Sequence, residues 1–285
     1  LILVIGAAGK TGQAICQSLV NRNESVRALV RRGEQTARML ELGVQFIIVG
    51  DMADRGVLSQ AFAGTSAVYL ICPNMNPDEL TIGERVIAAA KAGQVERFVY
   101  HSVLRPQIQA MPHHWQKLLV EEQLINSGLK MTILRPTVYM QNIIPYWETM
   151  MIEGTYAVPY SVESPISMVD LNDVAEVAAK VLIEDGHGMA EYELCAPEAL
   201  SARQIAARVA AKTGREIQAQ ALGRADWETR MRANRMPPYA LDTLLKMFQY
   251  YESNGFKGNS NVLAWLLGRP PRGLDDFLAL QTQWA

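Results

Sequence analysis

The chain has 285 residues, 49% of them hydrophobic and 20% charged, with a formal net charge of −2. A mean hydropathy of zero excludes disordered, collagen-like and coiled-coil chains and leaves an ordinary folded protein of one large or two smaller domains. The near-neutral balance lacks the basic footprint of a nucleic-acid-binding domain, so no direct nucleic-acid contact is expected, and no apolar run approaches the roughly 18 residues of a membrane span.

Cys16, Cys72 and Cys195 each sit in an apolar run. They read as buried thiols of a reducing cytoplasm, and no metal-ligand set is expected. Leu1 to Ile5 is apolar and meets glycine at once, so the chain is expected to open on a buried strand. From there to Arg135 short apolar runs alternate with segments of helical period, the mark of a parallel sheet wrapped by helices. The spacing predicts strands at 1–5, 25–30, 44–49, 67–72, 96–101 and 131–135, with helices at 11–22, 34–42, 54–63, 78–93 and 113–127. The strands are apolar throughout, as expected when both faces are covered. The fold class is therefore α/β, a doubly wound Rossmann-type sheet of strand order 3-2-1-4-5-6.

The expected dinucleotide domain is 1–136. Residues 137–285 form a smaller mixed region for substrate or partner, of which a stretch around 166–200 can return to the sheet. In that region helices are expected at 141–152 and 171–184. Ser201 and Gln204 read as a capping box opening a helix that Gly214 ends. Beyond Ala225 the chain is expected to be helical, with Leu241, Leu244, Leu245 and Phe248 on one buried face.

Gly6-Ala7-Ala8-Gly9-Lys10-Thr11-Gly12 follows the first strand and opens a helix. Glycines in that position let backbone amides approach a pyrophosphate at the positive end of the helix dipole. Gly6, Ala8, Gly9, Lys10, Thr11 and Gly12 are the expected phosphate-loop residues. Where NAD-binding proteins carry an acidic residue after the second strand, this chain has Arg31 and Arg32. Guanidinium groups there pair with a 2′-phosphate, so NADP(H) is expected in preference to NAD(H). Asp51 is placed to bond the adenine amino group, with a surface aspartate as the alternative.

Ligands of open parallel sheets sit beyond the carboxyl ends of the strands. Cys72-Pro73-Asn74 ends the fourth strand and Ser102 the fifth, and all four are expected against the cofactor. His113 and Lys117 share one helix face. Beside a cationic nicotinamide or a second base Lys117 is expected to have a lowered pKa that permits proton transfer at neutral pH. The alternative for Lys117 is a bond to the nicotinamide ribose, and for His113 a helix cap.

Together with Glu96 to Val103, His114-Trp115-x-Lys117, Thr132 to Thr137, Met140-Gln141-Asn142 and Ile166 to Ala175, these motifs resemble the NmrA-like members of the atypical short-chain dehydrogenase/reductases. The resemblance covers nearly the whole chain. It implies an NADP(H)-binding Rossmann domain with a small C-terminal domain over the nicotinamide crevice. In that group quinone, isoflavone and benzylic-ether reductases are enzymes, whereas NmrA-type regulators sense the dinucleotide without turnover. His113 stands where ordinary short-chain dehydrogenases have tyrosine, which argues against alcohol dehydrogenation by the tyrosine route and against a sugar-nucleotide epimerase. Lys117 falls where the aromatic-ether reductases keep a general acid/base lysine.

The expectation is thus an NADPH-dependent reductase passing hydride to a small conjugated acceptor such as a quinone or enone, with a non-catalytic redox sensor as the rival. Lys117 and His113 are expected to supply or orient the proton, and Ser102 to bond the acceptor or the cofactor amide. Trp115, Tyr139, Met140 and Asn142 are expected to line the acceptor pocket, with core packing as the alternative for the first three. A homodimer and a protein partner both stay open.

Overall fold

The computed structural model describes residues 1–281. In chain order the elements of the first half are β1 (Ile2–Ile5), α1 (Lys10–Val20), β2 (Val26–Val30), α2 (Thr36–Glu41), β3 (Phe46–Val49), α3 (Arg55–Phe62), β4 (Ala67–Leu70), α4 (Glu79–Ala92), β5 (Arg97–His101), α5 (Pro112–Ile125) and β6 (Met131–Pro136). There follow β7 (Val138–Tyr139), α6 (Trp147–Glu153), β8 (Thr155–Val158), β9 (Ile166–Val169), α7 (Leu171–Ile183), β10 (Ala190–Leu194), β11 (Ala199–Leu200), α8 (Ala202–Thr213) and β12 (Gln218–Ala221). Four helices end the described chain: α9 (Arg224–Ala233), α10 (Pro238–Asn254), α11 (Asn261–Leu267) and α12 (Leu274–Gln281).

The chain divides into two compact units, one of residues 1–107, 113–135 and 174–192 and the other of 108–112, 136–173 and 193–285. In the first, the sheet runs β3-β2-β1-β4-β5-β6 in the expected order, and β10 extends it by a seventh strand beyond β6. Strands β1 to β6 are parallel, with Ile2 opposite both Val26 and Ala67 and Phe98 opposite Met131. Their side chains fill one core that includes Leu3, Ile5, Val68, Leu70, Phe98, Tyr100, Val120 and Ile133. Each such fully buried large apolar side chain is worth about 1.5–3 kcal/mol over its exposed state. Because β1, β2, β4 and β5 point the same way, their carboxyl ends, and the residues that follow them, share one edge of the sheet.

In the second unit β9 lies between β7 and β11, and β8 pairs with β12. Tyr156, Met168, Ile205, Val209, Phe277 and Leu278 belong to its core. The capping box opens α8 as expected, with the Gln204 amide nitrogen donating to Ser201 Oγ and the Ser201 nitrogen to Gln204 Oε1, and Gly214 closes it in the left-handed conformation.

Three expectations need correction. The helix expected at 34–42 is a 3₁₀ turn over Gly33–Gln35 followed by the short α2, because glycine favours irregular backbone over a helix start. The helix expected at 141–152 is 3₁₀ over Met140–Tyr146 and α only from Trp147, with Pro145 unable to donate within the earlier turn. On α10 the buried residues are Leu241, Thr243, Phe248 and Tyr251, while Leu244 and Leu245 are half-buried. The helix is rotated slightly from the face that its leucines suggest, since Tyr251 packs on Tyr160 and Phe256.

Candidate active site

The loop after β1 contains glycines of two kinds. Gly6 has φ +83°, and a Cβ on it would lie 2.4 Å from the Ile71 carbonyl oxygen. A Cβ on Gly12 would lie 2.4 Å from the Gly6 carbonyl oxygen and 2.6 Å from Ala7 Cα. Both are therefore demanded by the fold, where the first turn of α1 lies directly on the loop.

Gly9 is different. It has φ −71° at the N-cap of α1, and its Cβ would meet Gly6 O at 3.6 Å, an ordinary contact. The protein has no steric need of glycine there, and a side chain would occupy space at the mouth of the helix. As N-cap, Gly9 has no side chain with which to cap α1. Gln13 braces the loop by donating from Nε2 to the Ala8 carbonyl at 2.8 Å, and its Oε1 accepts from Arg38 Nε. The exposed Gly9 and Lys10 and the half-buried Ala8 and Thr11 thus border an eleven-residue helix whose N-terminus has amides and a positive dipole end to offer. That cradle fits a pyrophosphate.

Arg31 and Arg32 follow β2 and are exposed. Arg31 Nε lies 3.8 Å from Asp51 Oδ2, and Arg32 Nε lies 2.9 Å from Glu34 Oε1. Ion pairs this exposed hold their partners weakly, so either guanidinium can turn to a phosphate at little cost. The other carboxylate oxygen of Asp51 accepts from the Ala53 nitrogen, which makes Asp51 a turn-forming residue as well as a neighbour of Arg31.

At the other end of the same sheet edge lies a buried polar cluster. Lys117, on the inner face of α5, donates to Glu79 Oε1 at 2.6 Å and to the His101 carbonyl at 3.4 Å. Tyr100 OH donates to that same Glu79 oxygen at 2.9 Å, and the Lys117 ammonium stands 5.6 Å from the centre of the Tyr100 ring. Glu79 is 1% exposed and Lys117 8%. An ammonium has three donors, and among the described residues two of those of Lys117 are taken. Burial by itself pushes the Lys117 pKa down, but its carboxylate neighbours, Glu79 first and then Glu121, outweigh it and leave the lysine above its ordinary value of 10.5. The expected lowering is corrected accordingly: a carboxylate in contact, not a second base, is the dominant neighbour.

Cys72 is buried beside this pair, its thiol pushed well up by burial and then by Glu79. Pro73 and Asn74 are exposed. Ser102 is buried and donates its hydroxyl to Glu121 Oε1. Glu121 also accepts from Arg135 Nε at 3.0 Å and Nη2 at 2.5 Å, and Arg135 reaches Glu191. The hydroxyl proton of Ser102 is thus engaged within the protein, and what it can offer a ligand is an acceptor lone pair.

His113 packs edge-on against His114 at 4.4 Å between ring centres. Its Nδ1 is buried without a hydrogen-bond partner, a costly arrangement unless something else completes it. Burial, then His114 and Lys117, lower its pKa to about 2, so the ring is neutral. Trp115 is half-buried on α5. In the second unit Tyr139 is half-buried, Asn142 is exposed, and Met140 belongs to the core, where it also lines a small cavity with Met168, Leu200 and Leu274.

Sequence reading passed over Glu79, Tyr100 and Gln13. Glu79 looks like any acidic residue favouring a helix N-terminus, and only the depth of its burial distinguishes it. Tyr100 lies in an apolar strand whose tyrosine reads as packing.

A doubly wound parallel sheet with a tight glycine turn between its first strand and first helix is the Rossmann-type fold. The chain belongs to the NmrA-like family, whose model matches residues 1–278. It is 26% identical over 279 residues to an NAD(P)H azoreductase of Xenophilus azovorans, covering 97% of this chain and 96% of that protein. It is 30% identical over 282 residues to the (4-alkanoyl-5-oxo-2,5-dihydrofuran-3-yl)methyl phosphate reductase of Streptomyces griseus, covering 98% and 97%. Among solved structures, an NADPH-dependent quinone oxidoreductase from Escherichia coli superposes with a TM-score of 0.85 at 25% identity, covering 99% of this chain and 100% of that one.

Proposed function

We propose that this protein is an NADPH-dependent reductase of a small conjugated acceptor, a quinone or an enone. The observation that carries this reading is the buried Lys117 ammonium with a third N–H left for a ligand, on the same sheet edge as the phosphate loop. The relatives support it by name: one uses NAD(P)H on azo compounds, another reduces an enone-type lactone, and the superposed enzyme reduces quinones with NADPH.

The dinucleotide is held at its pyrophosphate by the amides of the first turn of α1, from Lys10 to Gly12, and at its adenosine end by Arg31 and Arg32, which favour the 2′-phosphate. From β2 to β5 is three interstrand spacings, roughly 14 Å, so the cofactor lies extended along the edge. When bound, the nicotinamide supplies a hydride. Lys117 donates its remaining N–H where negative charge builds up, and in a water-poor site that contributes far more than it would in solvent. The neutral His113 is completed by a ligand group at Nδ1. Cys72, Pro73, Asn74 and Ser102 line the cofactor side, with Ser102 accepting rather than donating. Trp115, on the same helix as Lys117, contacts the acceptor.

The test is anaerobic mixing of the protein with NADPH and a panel of quinones and enones, following nicotinamide absorbance and tryptophan fluorescence together. Protein-dependent loss of NADPH is expected. Quenching without loss across the panel would replace this reading by a non-catalytic sensor, and no quenching would overturn cofactor binding itself. No helix among the described residues is long and apolar enough to cross a membrane.

A further inference from the structure

A buried lysine is the usual candidate for a titrating acid, because desolvation lowers its pKa toward neutrality. The surroundings of Lys117 point the other way. Glu79 reaches it from α4 at 2.6 Å, and the Glu79 oxygen that accepts from Lys117 accepts from Tyr100 of β5 as well. Tyr100 is itself held neutral well above its ordinary range, by burial first and by Glu79 next, so it acts as a donor that steadies the carboxylate charge. The other titratable groups around the ammonium are Cys72 after β4, His101 on β5, and His113, His114 and Glu121 on α5. The three histidines are neutral, with pKa values lowered by burial to about 3, about 2 and about 4, and the Cys72 thiol is protonated. Neither the three histidines nor the thiol beside Lys117 is therefore arranged to take its proton at neutral pH.

We propose that Glu79 is the positioning residue of the site: with Tyr100 it holds Lys117 as a permanent cation with one N–H left for a ligand, so that Lys117 serves as a fixed positive donor and not as the source of the transferred proton. Glu79 touches neither cofactor nor acceptor. It fixes the charge state and direction of the residue that does. For its consequence in turnover this rests on the reductase reading; for the charge state of Lys117 it does not.

The experiment is a pH titration of the protein with lysines carbon-13-labelled at the ε position, the Lys117 signal assigned by its disappearance in Lys117→Met. In the wild type the signal is expected not to titrate below pH 10. Titration between pH 6 and 9 would overturn the proposal, and this measurement depends on no variant of Glu79 folding. In Glu79→Gln the Lys117 pKa is expected to fall by two units or more, while Glu79→Asp, which keeps the charge, restores most of it. An unchanged pKa in Glu79→Gln would remove the role assigned to Glu79.

Turnover supplies the second readout. The kcat profile of Glu79→Gln is expected to gain a basic limb at the new Lys117 pKa, approaching wild-type values below it and falling at least tenfold above it, with KM for NADPH changed less than kcat. A uniform loss at every pH would assign Glu79 a merely structural part and overturn the proposal. Absence of NADPH consumption by the wild type would instead overturn the reductase reading, while the lysine titration would still decide this one.

Discussion

Gly9 at the mouth of α1 and Gly12 in its first turn stand three residues apart and answer to different demands. A Cβ at Gly12 collides with backbone, and backbone cannot rotate away. Gly12→Ala is expected to cost about 1–3 kcal/mol by overpacking, seen as a lowered Tm in calorimetry without cofactor. Gly9→Ala is expected to leave the unliganded Tm within a degree or two and to weaken NADPH at least tenfold by fluorescence titration, since the added methyl occupies the helix mouth. A Gly9→Ala protein that binds NADPH normally would sink the cradle. Lys117→Met is expected to abolish turnover while NADPH affinity stays within a few-fold; unchanged turnover would remove the lysine from the reaction. The paired Arg31→Ala and Arg32→Ala change is expected to raise KM for NADPH much more than for NADH, and an equal effect on both would deny these arginines the 2′-phosphate. At this scale Gly6 and Gly12 were legible because a close backbone approach leaves room for no other residue type. Glu79 was not, because a carboxylate becomes informative only when it is out of water and something pairs it.

Among the elements, α8 shows how far local chemistry reaches. Its start and stop follow from Ser201, Gln204 and Gly214 through hydrogen bonds spanning three or four residues. Ser201→Ala is expected to cost about 1 kcal/mol, measured by denaturant unfolding, and a change within error would mean that packing of Ile205 and Val209 holds the helix without its cap. The strands β1 to β6 were legible for the same kind of reason: apolar runs too short for helices and bounded by turns have few other fates. The turns of 140–146 were less so. Their apolar residues have a helical period, but Pro145 and the demands of the core select 3₁₀ geometry. On α10, periodicity found Leu241 and Phe248 of its buried face, while the aromatic contacts of Tyr251 decided its rotation.

Over the whole molecule, the buried neutral histidines couple stability to pH. His101, His113 and His114 have pKa values lowered mainly by burial, to about 3, 2 and 4, against 6.5 when unfolded. Below pH 6.5 the unfolded chain takes up protons that the folded chain refuses, so stability falls as pH falls from about 6.5 toward those folded values. Each histidine contributes a slope of up to roughly 1.4 kcal/mol per pH unit. Urea midpoints measured at pH 7, 6 and 5 are expected to drop progressively, and a flat series would mean that these rings are charged or solvated in the folded state. What the sequence by itself determined was the order of β1 to β6 in a parallel sheet and the glycine loop, since each depends on short-range sterics and on the period of apolar residues. The tertiary structure decided the charge of Lys117. That charge depends on Glu79 of α4 and Tyr100 of β5 meeting α5 out of water, and Coulomb energy and desolvation act through space between side chains that no sequence spacing brings together.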